Sequence, residues 1–467
     1  MNSTRSAMKL EPTIITQKEH AGRRMKLMKQ FGPYDLLFFP GNREILRNPD
    51  VPYEFRQESN MRYLTGINLP DVSAMLVPRD NKYILFASNQ TLDDKVWDGN
   101  MPTHKDLKRI YRADEVYEPS QMREVASKLG ASTIHTLHSE SPFNVPMAKK
   151  EVDGELATAM IEMRLIKSDA EIQAIEKAIN ITGKGYDAAL RVIRPGMREH
   201  EVQAALEYQF RVNGAEFSFP SIVTMDGNVL HNFELRRQFN NSILQDGRML
   251  LIDSGADVEG YSGDITRTFP INGKFSKMQA DIYEIVLKAK REVQKAMCAG
   301  VRFKIMHELS EKTIAEGLQA LGILKSSNSY QLIKGARLFI AHGLGHAMGL
   351  DDHDIGEYKD RVAGYTMVFP RETDFAIKYL RFARTLMPGH VVTTEPGIYF
   401  IDAVLNNPQI RKDYKGIVDF NKALKYMVTV SGIRLEDDVL IQKDGSPRVL
   451  GPPIPQVINQ IELIMRK

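Results

Sequence analysis

Residues 249–270 read MLLIDSGADVEGYSGDITRTFP, two apolar runs that each carry one acidic residue, Asp253 and Asp264. The first run ends in Asp253, and the second opens at Asp264. Between them Asp257-Val-Glu-Gly260 has the composition of a hairpin turn. A hairpin brings Asp253 and Asp264 onto neighbouring strands, close enough to share one site. A carboxylate inside an apolar strand is costly unless it is paired or holds a metal. The stretch that sets the local fold therefore also points to chemistry.

The pattern continues downstream. His342-Gly-Leu-Gly-His346 is followed by His353-Asp-Ile-Gly356, then by Val391-Val-Thr-Thr-Glu395-Pro-Gly, an apolar strand with one glutamate. Gly432-Ile-Arg434-Leu-Glu436-Asp-Asp-Val-Leu440 sets charges inside another apolar run. A lone acid in such a run is more often a salt-bridge partner than a metal ligand. Together, four carboxylates and an imidazole suit two divalent ions, and oxygen-rich ligation favours Mn²⁺ or Mg²⁺, with Zn²⁺ or Co²⁺ as alternatives. Arg434, two residues before Glu436, is placed to orient the carboxylates.

The surrounding chain divides into two halves of different texture. Residues 1–154 alternate short apolar runs (34–40, 74–78 and 83–87) with a helical segment at 120–129, the pattern of a small α/β domain. The polar, proline-bearing stretch 139–154 reads as a linker. Residues 155–467 hold longer helices opened by the capping boxes Ser168-Asp-Ala-Glu171 and Ser276-Lys-Met-Gln279. Helix, glycine break, helix and strand recur twice, the strands expected at 217–224 and 337–341. The predicted architecture is α+β, a smaller α/β domain before a larger catalytic one.

Composition excludes several classes. A formal charge of +3 spread along 467 residues is no nucleic-acid footprint. No apolar run approaches the ~20 residues of a membrane-crossing helix, and no secretory signal opens the chain. The single cysteine, Cys298, excludes an internal disulfide framework and a thiolate zinc site. Cytoplasmic residence is the expectation.

These spaced motifs resemble the pita-bread metallopeptidases, specifically the proline-specific branch of prolidase and aminopeptidase P. The stretch from Pro52-Tyr-Glu-Phe-Arg-Gln-Glu-Ser59 to Tyr63-Leu-Thr-Gly66 resembles that branch's N-terminal domain. The resemblance implies a C-terminal pita-bread domain in which Asp253, Asp264, His346, Glu395 and Glu436 hold two divalent ions, Mn²⁺ first among them. It implies hydrolysis of the Xaa-Pro bond by a hydroxide bridging the ions. Glu395 would move the proton, while His231, His342 and His353 line the substrate site and steady the developing oxyanion.

Within that branch the long intervals 357–387 and 402–429 favour an Xaa-Pro dipeptidase. Arg381, in Leu380-Arg-Phe-Ala-Arg384, would then grip the dipeptide carboxylate, with Arg434 also on the substrate side. Aminopeptidase P, which releases the residue before proline from longer peptides, is the alternative, and a non-catalytic pita-bread binding protein the remote one. The resemblance also implies a homo-oligomer, a dimer or tetramer, in which Trp97 could reach a neighbour's pocket; a lone tryptophan is more often core. His307-Glu-Leu-Ser-Glu311 lacks the second histidine of a helical zinc motif and carries no catalytic signature.

Overall fold

The computed structural model describes residues 13–137, 148–150, 154–227, 230, 241–354, 360–374 and 377–466. The chain divides into two compact units, Met1–Arg164 and Leu165–Lys467. Of the stretch expected to link two domains, only the short strand Ala148–Lys150 and Gly154 are described.

In the first unit a six-stranded mixed sheet runs in the order Glu115–Tyr117, Lys82–Phe86, Ser73–Val77, Asp35–Phe39, Thr133–Thr136, Ala148–Lys150. The three apolar runs are its central strands because all are buried on both faces. One side packs Leu36, Phe38, Met75 and Ile84 against Met122 and Val125 of the helix Met122–Lys128. Trp97 ends the short helix Leu92–Trp97 at 85% exposure, so its assignment to a core does not hold.

In the second unit both capping boxes form. The Ser168 hydroxyl accepts from the Glu171 N–H and opens the helix Asp169–Val192; Ser276 does the same with Gln279 for Lys277–Ala296. Each is followed by a second helix, Glu199–Val212 and Phe303–Ala320. The opening hairpin is also present. Strand Met249–Ser254 pairs antiparallel with Ile265–Pro270, Asp253 standing opposite Thr266, and Ile222–Met225 completes the sheet. The turn lies at Glu259-Gly260, both with positive φ, between the short strands Ala256–Val258 and Tyr261–Ser262. A Cβ on Gly255 would fall 1.6 Å from the Gly263 carbonyl oxygen, so the two arms close this tightly only because residue 255 is glycine.

Two strand expectations fail in part. The run 217–224 breaks into Glu216–Phe217 and Ile222–Met225, which join different sheets. Residues 337–341 form no strand but turns after the helix Ser329–Ala336; Phe339 accepts one backbone bond, from the Tyr399 N–H. An apolar run of five looks the same in a strand and in a buried turn.

Candidate active site

Each acidic residue of the cluster stands at or beside the end of a buried strand, where its side chain can leave the sheet. Asp253 is near the end of Met249–Ser254, Asp264 immediately precedes Ile265–Pro270, and Glu395 immediately follows Val391–Thr394. Glu436 lies between Gly432–Arg434 and Asp437–Ile441. Backbone bonds lock these ends together: the Asp264 N–H donates to Asp438 Oδ2 (3.0 Å), the Glu436 N–H to the Thr266 carbonyl (3.0 Å) and the Glu395 N–H to the Leu344 carbonyl (2.8 Å).

The histidines come from the loop 342–346. The His346 N–H donates to Thr393 Oγ1 at 3.1 Å, and a Cβ on Gly345 would meet the Thr393 carbonyl oxygen at 2.3 Å, which requires glycine there. His346 Nδ1 lies 3.1 Å from the Ala347 carbonyl, so that nitrogen carries the proton and Nε2 presents its lone pair. Nε2 stands 3.3 Å from Asp264 Oδ2 and 4.0 Å from Glu395 Oε1. Burial lowers the His346 pKa to about 4, which keeps the ring neutral and able to ligate.

Arg434 ties the other side together. It donates to Asp253 Oδ2 at 2.5 Å, to Thr266 Oγ1 at 3.1 Å and to the Tyr399 hydroxyl at 2.8 Å. The Tyr399 hydroxyl lies 2.8 Å from His342 Nε2, and Thr266 donates to Glu436 Oε2 at 2.7 Å. Because Tyr399 accepts from Arg434, its own proton is left for His342, whose Nδ1 stands 3.4 Å from Glu395 Oε2.

Three of the expected metal ligands each have an oxygen buried without a partner among the described residues: Asp253 Oδ1, Asp264 Oδ1 and Glu436 Oε1. One donor atom each from Asp264, His346 and Glu436 lie within 4.8 Å of one another. Burial, reinforced by neighbouring carboxylates, pushes Asp264 and Glu436 well above the usual carboxylate range. Burial likewise lifts Glu395 to about 8 against the pull of Arg434. Orphaned oxygens, a neutral imidazole lone pair and mutually repelling acids are the donor set a divalent cation would relieve, so the residues fit a metal centre.

The structure thus gathers Asp253, Asp264, His346, Glu395, Glu436, Arg434 and His342 in one place. The His353 ring packs edge-on to His346 at 4.3 Å between centroids. His231 lies outside the described residues. Arg381 is exposed, and its charge acts on His346 and Glu395. Sequence reasoning missed Tyr399, Thr266, Asp352 and the His307–Glu311 pair. His307 Nδ1 accepts the Leu344 N–H at 3.1 Å and its Nε2 stands 3.2 Å from Glu311, while Arg337 grips Glu311, so the segment without catalytic signature braces the histidine loop. The His307/Glu311 spacing of four, two polar residues on one helical face, was the signal available.

Residues 173–443 match the model of metallopeptidase family M24, and residues 20–138 that of the aminopeptidase P N-terminal domain. The chain is 32% identical to the Xaa-Pro aminopeptidase of Haemophilus influenzae over 97% of its own length and 98% of the relative's. Among solved structures it resembles Pseudomonas aeruginosa aminopeptidase PepP (TM-score 0.80, 28% identity, 98% and 99% of the two chains). It resembles equally the E. coli aminopeptidase P solved with the inhibitor Pro-Leu (TM-score 0.80, 27% identity, 98% and 99%).

These likenesses overturn the dipeptidase reading, which rested on two long intervals and Arg381. The interval 402–429 folds as the helices Asp402–Leu405, Pro408–Asp413 and Phe420–Thr429, with Tyr426 stacked on Phe400, so its length serves packing. In the other interval Glu372 binds Lys304 at 2.6 Å, again a structural tie. The dipeptide-gripping role of Arg381 falls with that reading. Among the described residues no helix is long and apolar enough to cross a membrane. A site made to take divalent metal, and a match spanning well over half the chain, lead to one assignment: the chain is a metallopeptidase and belongs to family M24.

Proposed function

We propose that this peptidase is an Xaa-Pro aminopeptidase, releasing the N-terminal residue from peptides with proline second. The observation that carries the reading is the convergence of Asp264, His346 and Glu436 with their unpartnered oxygens, in a chain similar over nearly its whole length to enzymes of that name. Asp253, Asp264, His346, Glu395 and Glu436 would hold two divalent ions, Mn²⁺ first, because four of the five donors are hard carboxylate oxygens. When bound, the ions supply Lewis acidity and a water acidic enough to ionise near neutral pH.

The chain's own groups do the rest. Glu395, whose N–H donates to the Leu344 carbonyl, would carry a proton from water to the leaving imino nitrogen. His342, fixed by Tyr399 at Nε2 and by the Gly343 carbonyl at Nδ1, would line the substrate side with His353 and His231. Arg434 holds the Asp253 carboxylate in position. Proline suits such a site because the Xaa-Pro bond has no N–H for a strand-like binding groove to grasp. The exposed Leu92, Val96 and Trp97 support assembly into a homo-oligomer, and the free Cys298 suits the cytoplasm.

Chelator-stripped, Mn²⁺-reloaded protein is expected to cleave Leu-Pro-Pro with a kcat/KM at least about tenfold above that for Leu-Pro, a difference of roughly 1.4 kcal/mol. Preference for the dipeptide, or cleavage of neither, would remove the proposal. Trp97→Asp is expected to lower the molar mass seen by light scattering; an unchanged assembly would detach Trp97 from it.

A further inference from the structure

Asp352 belongs to none of the five positions that the family resemblance supplies, yet it points into the same space. The loop carrying it is pinned on both sides. The Met348 N–H donates to the Val391 carbonyl (3.1 Å) and the Asp354 N–H to the Ala347 carbonyl (2.9 Å). Asp354 is clamped by Lys167 at 2.9 Å, both side chains 1% exposed. So anchored, Asp352 has little freedom to turn away. Its Oδ1 is shielded from solvent and without a hydrogen-bond partner among the described residues. Its carboxyl group reaches that of Asp264, and Asp253, Glu395 and Asp351 add negative charge around it. Donor atoms of His346, Asp352 and His353 lie within 4.8 Å of one another. His346 is therefore common to two triads, one with Asp264 and Glu436, the other with Asp352 and His353.

Where the shielded oxygen of the part-buried Asp352 carboxyl approaches the buried Asp264 carboxyl, something positive is needed between them, a proton or a cation. Asp264 and Glu436, 4% and 1% exposed, already aim unpartnered oxygens at this space. We propose that Asp352 is a sixth protein ligand of the metal centre, bound to the ion that His346 and Asp264 share. This rests on the metal-centre reading above and extends it. An added hard oxygen donor strengthens the hold on that ion and tilts the site toward Mn²⁺ relative to softer-ligand metals.

The test is a calorimetric titration of chelator-stripped protein with Mn²⁺, comparing the unaltered chain, Asp352→Asn and Asp264→Asn. It is paired with the visible absorption of each protein loaded with Co²⁺. For Asp352→Asn the tighter Mn²⁺ affinity is expected to fall about 10- to 100-fold, the range seen when groups supporting a metal are removed. The Co²⁺ bands are expected to change in intensity as an oxygen donor is lost. Titration and spectrum like the unaltered chain, with Asp264→Asn losing affinity, would overturn the sixth ligand and leave the centre intact. If Asp264→Asn also titrates normally, the metal-centre reading itself falls. Asn matches Asp in shape, and Asp352→Ser supplies the same comparison should the first variant not fold.

Discussion

Glu436→Gln is expected to abolish turnover and at the same time raise the melting temperature of the metal-free protein. The two effects have one cause. Without a cation, Glu436 is a buried acid whose Oε1 has no partner, facing Glu395 and Asp253. Gln keeps the shape, and its carbonyl can still accept from Thr266, so the cost of holding this acid protonated in the fold is removed with little packing lost. Relief of about 1 kcal/mol would appear as roughly 2 °C in a unit of this size. The metal then loses a ligand, and with several kcal/mol of Lewis-acid stabilisation at stake, turnover should fall about a thousandfold or more.

The sign with pH follows from the raised carboxyls. Folded, metal-free protein holds protons on Asp264, Glu395 and Glu436 that the unfolded chain releases near pH 3.8 for the aspartate and 4.5 for the glutamates. That stabilisation is complete below the unfolded pKa and is lost as pH rises toward the folded value, about 8 for Glu395. The melting temperature of the stripped protein should therefore decline between about pH 5 and pH 8.5, less steeply in Glu436→Gln. Added metal should flatten the decline, since it competes with those protons. Thermal melts across that range check both points. A stripped protein indifferent to pH, or a Gln variant that melts lower, would mean the acids are not crowded as described.

The parts of this molecule that were legible in its sequence are those fixed over short distances. Ser168 and Ser276 announce their helices because the partner of each hydroxyl sits three residues on. The hairpin at 249–270 is legible because its turn and both arms are contiguous. Gathering Asp253 with Glu436 is another matter: Arg434 bridges them across more than 180 residues of chain, and only a resemblance to a known set of motifs could pair them beforehand. Tyr399, Asp352 and the His307–Glu311 brace carried no such motif. The error over the interval 402–429 has the same origin, since length says that residues are present and not what they pack against.

Asp437→Asn should be among the most destabilising single changes available, although Asp437 lies beside the metal cluster and outside it. Successive residues of an extended chain point to opposite sides. Glu436 turns to the site, and Asp438 accepts the Asp264 N–H, whereas Asp437 turns to the helix Lys277–Ala296. There it meets Arg267 at 2.7 Å, Lys290 at 2.5 Å and Gln294 at 3.1 Å, with side chains 2% exposed for Arg267, 0% for Lys290 and 6% for Asp437. Burial works against its charge, yet the two cations hold Asp437 well below the usual carboxylate range. Burial brings Lys290 down to about 8 even with its partner present.

Removing the carboxylate strands two cations in the interior, which costs about 3–5 kcal/mol. Lys290 can escape by losing its proton, and Arg267 cannot. Denaturant melts of the Asn variant should therefore recover part of the loss above pH 8, where folded protein carries fewer protons on Lys290 than the unfolded chain does. Adding Lys290→Met to Asp437→Asn should likewise restore part of it, a non-additivity that independent surface residues would not show. The metal site should suffer as well, because Arg267 also holds the Glu436 carbonyl at 2.5 Å. A loss under about 1 kcal/mol, or strict additivity, would mean that water reaches these groups and that the charged triad is not what fixes Glu436 in place.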